Sequence, residues 1–178
     1  EGREEVRERL LMRTGFEELA GWCPDNSPTL TTEKVHSGRY AQRIDTAHPY
    51  SATFRARLGS LSPQRPRRLT LSAWVWVPTW EDDARLIVEI KNADATETVF
   101  EKSVFLSTTG PFAAWKKVSR SFDLPGPDAD LDLDTTATCC ADERLVNIHQ
   151  DYRLQVYLWN GSARQPVYTD DWELSELR

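Results

Sequence analysis

LTLSAWVWVPTW, residues 69 to 80, decides how this chain is read. Successive side chains of an extended segment point to opposite faces, so Leu69, Leu71, Ala73, Val75 and Val77 line one side, and Thr70, Ser72, Trp74 and Trp76 line the other. This is a strand with one wholly apolar face. Its second face carries two indoles, which are either covered by another layer or presented to something outside the protein. Pro78 closes the strand, because proline has no N–H to give to a ladder.

The same alternation recurs on both sides of this stretch. Residues 51 to 58 set Ala52, Phe54, Ala56 and Leu58 against Thr53, Arg55 and Arg57. ARLIVEIKN (84 to 92) sets Leu86, Val88 and Ile90 against Ile87, Glu89 and Lys91, while YRLQVYLWNG (152 to 161) sets Leu154, Val156 and Leu158 against Gln155, Tyr157 and Trp159. TVFEKSVFL (98 to 106), WKKVSRSFDLP (115 to 125), PVYTDDWELSEL (166 to 177) and a segment following the Ser37-Gly38 turn add further strands. About eight short strands without long intervening helices predict an all-β fold, an antiparallel two-sheet β-sandwich. Residues 1 to 13, rich in Glu and Arg, suit a short helix or a linker from an upstream domain; the sandwich then spans 14 to 178, with an acidic insertion loop at about 126 to 150.

Composition narrows the partners. Ten prolines, eight glycines and seven tryptophans in 178 residues favour a turn-rich β protein. A net charge of -6 argues against nucleic acid or an anionic membrane as the main partner, and no window approaches the ~18 apolar residues of a membrane-inserted helix. Cys23, Cys139 and Cys140 are an odd set with no zinc-ligand spacing; one bridge from Cys23 and free thiols are both open. The chain shows no signal peptide, and its opening EGREEVRERL suits a processed product or a piece of a longer polypeptide.

Four motifs in order carry a resemblance: GFE (15 to 17), HSGRYA (36 to 41), the Trp115 to Pro125 segment, and VYTDDWEL (167 to 174). Together they resemble the galactose-binding-like jelly rolls, and among these the xylan- and glucan-type carbohydrate-binding modules of secreted bacterial glycosidases. The resemblance implies a non-catalytic module that docks a polysaccharide or oligosaccharide on an aromatic sheet face, secreted or at the cell surface, beside other domains of a longer chain. It also implies a structural calcium, held by Glu17 near the N-terminus and by Asp170 and Asp171 near the C-terminus, with Glu18 as a substitute for Glu17 and carbonyls near Ser37 to Arg39 as additions. Alternation puts Asp170 inward with Trp172 and Leu174, where a carboxylate needs a cation, backbone N–H donors or an arginine. The aspartates at 128, 130, 132 and 134 read as a solvated loop in preference to a second calcium loop.

The outward residues suggest a sugar site. Trp74, Trp76, Tyr157 and Trp159 offer planes for the apolar faces of pyranose rings, while Arg55, Glu89, Lys91 and Gln155 offer groups for the hydroxyls, provided their strands share one sheet. Trp22 and Trp80, in loops, either extend such a site or pin turns. The alternative is a structural or protein-interaction domain whose aromatics pack on other protein and bind no sugar. Catalysis has less support: Glu89, Glu101 and Glu173 supply carboxylates without a defining motif, and His36, His48 and His149 are scattered.

Overall fold

The structure is a computed structural model describing residues 8 to 17, 28 to 62, 66 to 124 and 150 to 177. The readings of Glu18, Trp22, the three cysteines, the acidic insertion with its four aspartates, and His149 lie outside these residues. Among the described residues ten strands form, in chain order: β1 (Glu8–Thr14), β2 (Leu30–Thr31), β3 (Ala41–Ile44), β4 (Phe54–Arg57), β5 (Arg68–Trp76), β6 (Arg85–Lys91), β7 (Thr98–Phe105), β8 (Trp115–Asp123), β9 (Arg153–Trp159) and β10 (Val167–Leu177). One helical turn, α1 (Leu58–Leu61), follows β4. They build two antiparallel sheets, a six-stranded one ordered β2-β3-β10-β5-β8 with β1 also on β10, and a four-stranded one ordered β4-β9-β6-β7.

The core is the set of residues that the alternation selects. Leu69, Leu71, Ala73 and Val75 of β5 face Leu86, Val88 and Ile90 of β6 and Leu154, Val156 and Leu158 of β9 across the sandwich, all essentially inaccessible. Burial of each large aliphatic side chain stabilises the fold by roughly 1.5–3 kcal/mol, so these three strands fix which faces look inward. Phe16 and Trp172, both fully buried, meet edge to face with ring centroids 5.0 Å apart. No helix among the described residues is long and apolar enough to cross a membrane.

One segment departs from expectation. Residues 8 to 13 are neither helix nor linker but part of β1, antiparallel to β10 with Arg13 opposite Glu173 and Glu8 opposite Leu177. The charges that suggested a helix serve as cross-strand partners: Arg13 Nε donates to Glu173 Oε1 at 2.9 Å, and Ser175 Oγ donates to Glu8 Oε1 at 3.0 Å. Met12 reaches the core, which anchors the strand.

β10 has a shared flank. Its first residues, Val167 to Thr169, pair with β3, and from Trp172 onward the same side pairs with β1. Its other side runs along β5 throughout, with a register shift between Asp170 and Glu173. Asp171 sits there at φ 49°, the left-handed conformation of a bulged residue.

Candidate functional site

The outer face of the four-stranded sheet is a grid set by its register. At one end Trp159 stands opposite Arg85, which stands opposite Phe105. The Arg85 guanidinium lies between the two rings, 4.6 Å from the Trp159 centroid and 4.8 Å from that of Phe105. Tyr50 bridges to Trp159 and brings its ring to 5.9 Å from Tyr157. Two residues along β9, Tyr157 donates its hydroxyl to Glu89 Oε1 at 2.7 Å, over Ile87, which forms an apolar floor. Next come Arg55, Gln155, Glu89 and Glu101 abreast, and beyond them Arg57, Arg153 and Lys91 abreast.

Burial, the hydrogen bond to Glu89 and that carboxylate's charge hold the Tyr157 phenol well above its ordinary value, so the hydroxyl stays a donor. The pair is therefore fixed on Glu89 Oε1, and among the described residues no bond occupies Oε2. Of the four large hydrophobic residues most exposed among those described, Tyr50 and Phe105 stand at the Arg85 end, and Trp80, 70% exposed, stands on the loop leading into β6. Aromatic planes thus give way to polar groups along the seven residues of β9, about 20 Å of strand.

Six of the eight expected ligand residues, Arg55, Glu89, Lys91, Gln155, Tyr157 and Trp159, share this face. Trp74 and Trp76 do not. They lie on β5, in the other sheet, so their outward side is the opposite surface of the sandwich. There the segment preceding β3 covers them: the His36 ring stacks on Trp74 at 3.9 Å with planes 14° apart, and the Lys34 ammonium sits 4.6 Å above Trp76, whose edge meets Tyr168. Both indoles face another stretch of the same protein. Arg85 and Phe105 were missed although alternation along β6 and β7 contains them; Tyr50 lies outside any strand and carried no periodic signal.

The three expected metal ligands lie elsewhere, around the point where β10 changes partner from β3 to β1, each bonded to the segment from His36 to Tyr40. Glu17 Oε1 accepts the N–H groups of Arg39 and Tyr40 at 2.9 and 3.1 Å. Asp170, fully buried, accepts those of His36 and Ser37 on Oδ2, each at 3.1 Å, and that of Asp171 on Oδ1 at 2.8 Å. Asp171 accepts the Ser37 hydroxyl at 2.7 Å and stands 2.6 Å from His36 Nδ1. Burial pushes the Asp170 carboxyl up to about 6, while the N–H bonds pull the other way. Gly38 makes the approach of Glu17 feasible, since it has φ 66° and a Cβ there would lie 2.2 Å from Glu17 Oε1.

Asp170 is buried, but not on the core face. It stands opposite Trp74, so it shares the outward side of the six-stranded sheet beneath His36 and Ser37. The extra residue at the bulge, Asp171 and Trp172 against Ala73 alone, reverses the alternation that put Asp170 with Trp172.

Asp171 meets the His36 imidazole, Glu17 and Asp170 meet backbone N–H groups of the same segment, and none of the three carboxylates has a Lys or Arg ion pair among the described residues, so the donors are of the hard-oxygen type. Glu17 Oε2 and one lone pair of Asp170 Oδ1 are not taken up by the bonds above. The N–H donors nonetheless supply the neutralisation visible in the structure. Among the described residues, no group of three or more His, Cys, Asp and Glu side chains has the arrangement of a metal centre.

No family model matches the sequence, and no curated protein matches it. Solved structures do match in fold. The N-terminal CBM22-1–CBM22-2 tandem domain of Paenibacillus barcinonensis Xyn10C aligns over 99% of this chain with TM-score 0.53 and 13% identity, the chain spanning 48% of that tandem. The C-terminal family 22 carbohydrate-binding module of Clostridium thermocellum Xyn10B aligns over 94% of this chain and 92% of its own length, TM-score 0.51, 10% identity. The CBM22-2 xylan-binding domain of the same Paenibacillus protein aligns over 93% and 99%, TM-score 0.50, 11% identity. The chain thus has the jelly-roll β-sandwich fold of carbohydrate-binding modules such as these.

Proposed function

We propose that this domain is a non-catalytic carbohydrate-binding module that docks a polysaccharide across the outer face of its four-stranded sheet. The observation that carries the reading is the adjacency of ring planes and polar groups on that face. Trp159, Tyr157 and Tyr50 offer ring planes at one end, Arg85 lies between the Trp159 and Phe105 rings, and Glu89, bonded to the Tyr157 hydroxyl, forms the next row with Gln155. Stacking on sugar C–H faces and bonding to ring hydroxyls need that mixture on a preformed surface. The Paenibacillus CBM22-2 neighbour is a xylan-binding domain, which makes xylan the first polymer to try here.

Three further parts of the reading go with it. A calcium ion held by Glu17, Asp170 and Asp171 would neutralise the carboxylates at the β1–β3–β10 junction and tie the chain ends to β3; its chemistry is structural. The module works outside the cell or at its surface. It is attached to other domains, which it brings to the polysaccharide.

Affinity electrophoresis against xylans and β-glucans tests the central claim. Retarded migration in at least one polymer, lost in Trp159→Ala with the fold intact, is the expected result. Free migration through all of them would instead favour a structural domain whose face packs on another protein.

A further inference from the structure

The far end of the proposed binding face differs from the rest in charge. Arg57, Arg153 and Lys91 stand directly opposite one another across β4, β9 and β6, with Arg55 and Gln155 in the adjoining row. Arg55, Ala56, Arg57, Ala95, Arg153 and Gln155 line a hollow of about 420 Å³. Among the described residues none of these cations is ion-paired. Arg153 Nε donates to the Ala93 carbonyl at 3.1 Å, which fixes its guanidinium without neutralising it. Of the nearby carboxylates, Asp94 accepts from the N–H and hydroxyl of Thr96 while feeling the Arg153 charge, Glu89 accepts from Tyr157, and Glu101 stands opposite Glu89 in the adjoining row.

Like charges abreast on a sheet repel, so a row of three is unfavourable unless an anion joins it. It is also out of keeping with a chain of net charge -6. We propose that this hollow binds an oxyanion carried on a sugar, a uronate carboxylate or a sulfate ester, and so directs the module to acidic polysaccharides. The inference rests on the reading of the sheet face as a polysaccharide site and adds which polymers it prefers. Two guanidinium forks on neighbouring strands suit the paired oxygens of such a group, and the hollow is continuous with the rows that carry Tyr157 and Trp159, some 20 Å of strand long enough for several rings end to end.

The test uses matched polymers: a glucuronate-substituted xylan and the same xylan after carboxyl reduction, then a sulfated galactan and its desulfated form. At low salt the wild type should bind at least one charged polymer about tenfold more tightly than its neutral counterpart, and the pair that shows it identifies the anion. Arg57→Gln and Arg153→Gln should each abolish that preference, bringing the affinity for the charged polymer down to that for its neutral counterpart. Trp159→Ala should weaken both forms alike. Equal binding of charged and neutral forms overturns the proposal while leaving the polysaccharide reading standing; failure of every polymer to bind removes both. Equal affinity for a single-stranded oligonucleotide also overturns it, by making the row a general polyanion surface. Arg57→Gln should leave the melting temperature unchanged or higher. A fall of several degrees would assign the row to the chain's own acidic stretch and overturn it.

Discussion

Trp74 and Trp159 look equivalent in the sequence, each an outward indole on a strong strand, but they lie on opposite surfaces of the sandwich. Trp159→Ala removes one of two rings from the Arg85 guanidinium, whose remaining ring, Phe105, is 4.8 Å away. Trp159 is half-buried like Trp74, so its truncation, cation–π contact included, costs about 2 kcal/mol and lowers the melting temperature of a chain this size by about 4–8 °C. If the ring is also a central sugar platform, affinity should fall by about 2 kcal/mol, or ~30-fold. Trp74→Ala removes the surface on which His36 stacks at 3.9 Å, and with it the lid over Asp170. Full burial of a Trp would make truncation cost about 3–5 kcal/mol; half-burial brings this to ~2 kcal/mol and a melting temperature lower by about 4–8 °C. Isothermal calorimetry with a bound oligosaccharide and thermal denaturation of both variants separate the effects. The reasoning fails if Trp74→Ala loses affinity as Trp159→Ala does while its melting temperature holds, since the six-stranded sheet would then carry the ligand.

Other expectations follow from the junction at β10. Calcium at about 100 times its dissociation constant should add ~2.7 kcal/mol to stability over chelated protein, so an unchanged melting temperature on chelation eliminates the metal. In chelator, Asp170 should favour folding in its protonated form, because its folded carboxyl is near 6 and its ordinary value is 3.8. That contribution, ~3 kcal/mol, is complete below the ordinary value and disappears as pH rises through 6. The stability difference between wild type and Asp170→Asn, followed by denaturant titration from pH 3.5 to 7, should shift in that direction; a flat difference refutes it. Gly38→Ala forces a Cβ onto Glu17 Oε1 at a positive φ and should cost about 2 kcal/mol or more, read as a lower denaturation midpoint.

Much of the architecture was legible because alternation is a local property. β5, β6 and β9 each bury the residues that a period of two selects, and the motifs around Gly15, His36 and Asp170 do come together in space. Which sheet a strand joins is not local. Nothing in LTLSAWVWV distinguishes a place between β10 and β8 from a place beside β9, so Trp74 and Trp76 were grouped with residues on the far side of the sandwich. Asp170 was assigned to the wrong face for a related reason: a bulge adds one residue, and no period shows where. β1 was hidden by its composition, since Glu and Arg have low strand preference and their cross-strand partners lie about 160 residues away, as in the Arg13–Glu173 pair.

The pairing of β1 with β10 has a mechanical meaning. Glu8 lies opposite Leu177, so chain that enters at one and leaves at the other does so from adjacent points on the sheet that faces away from Trp159. Tension between those points would part the two strands from Glu8 and Leu177 inward, breaking their hydrogen bonds in succession, and reach the Asp170 junction only after Thr14 had come free. The four-stranded sheet shares no backbone ladder with β1 or β10, so a ligand held there would stay seated while the opposite sheet began to yield.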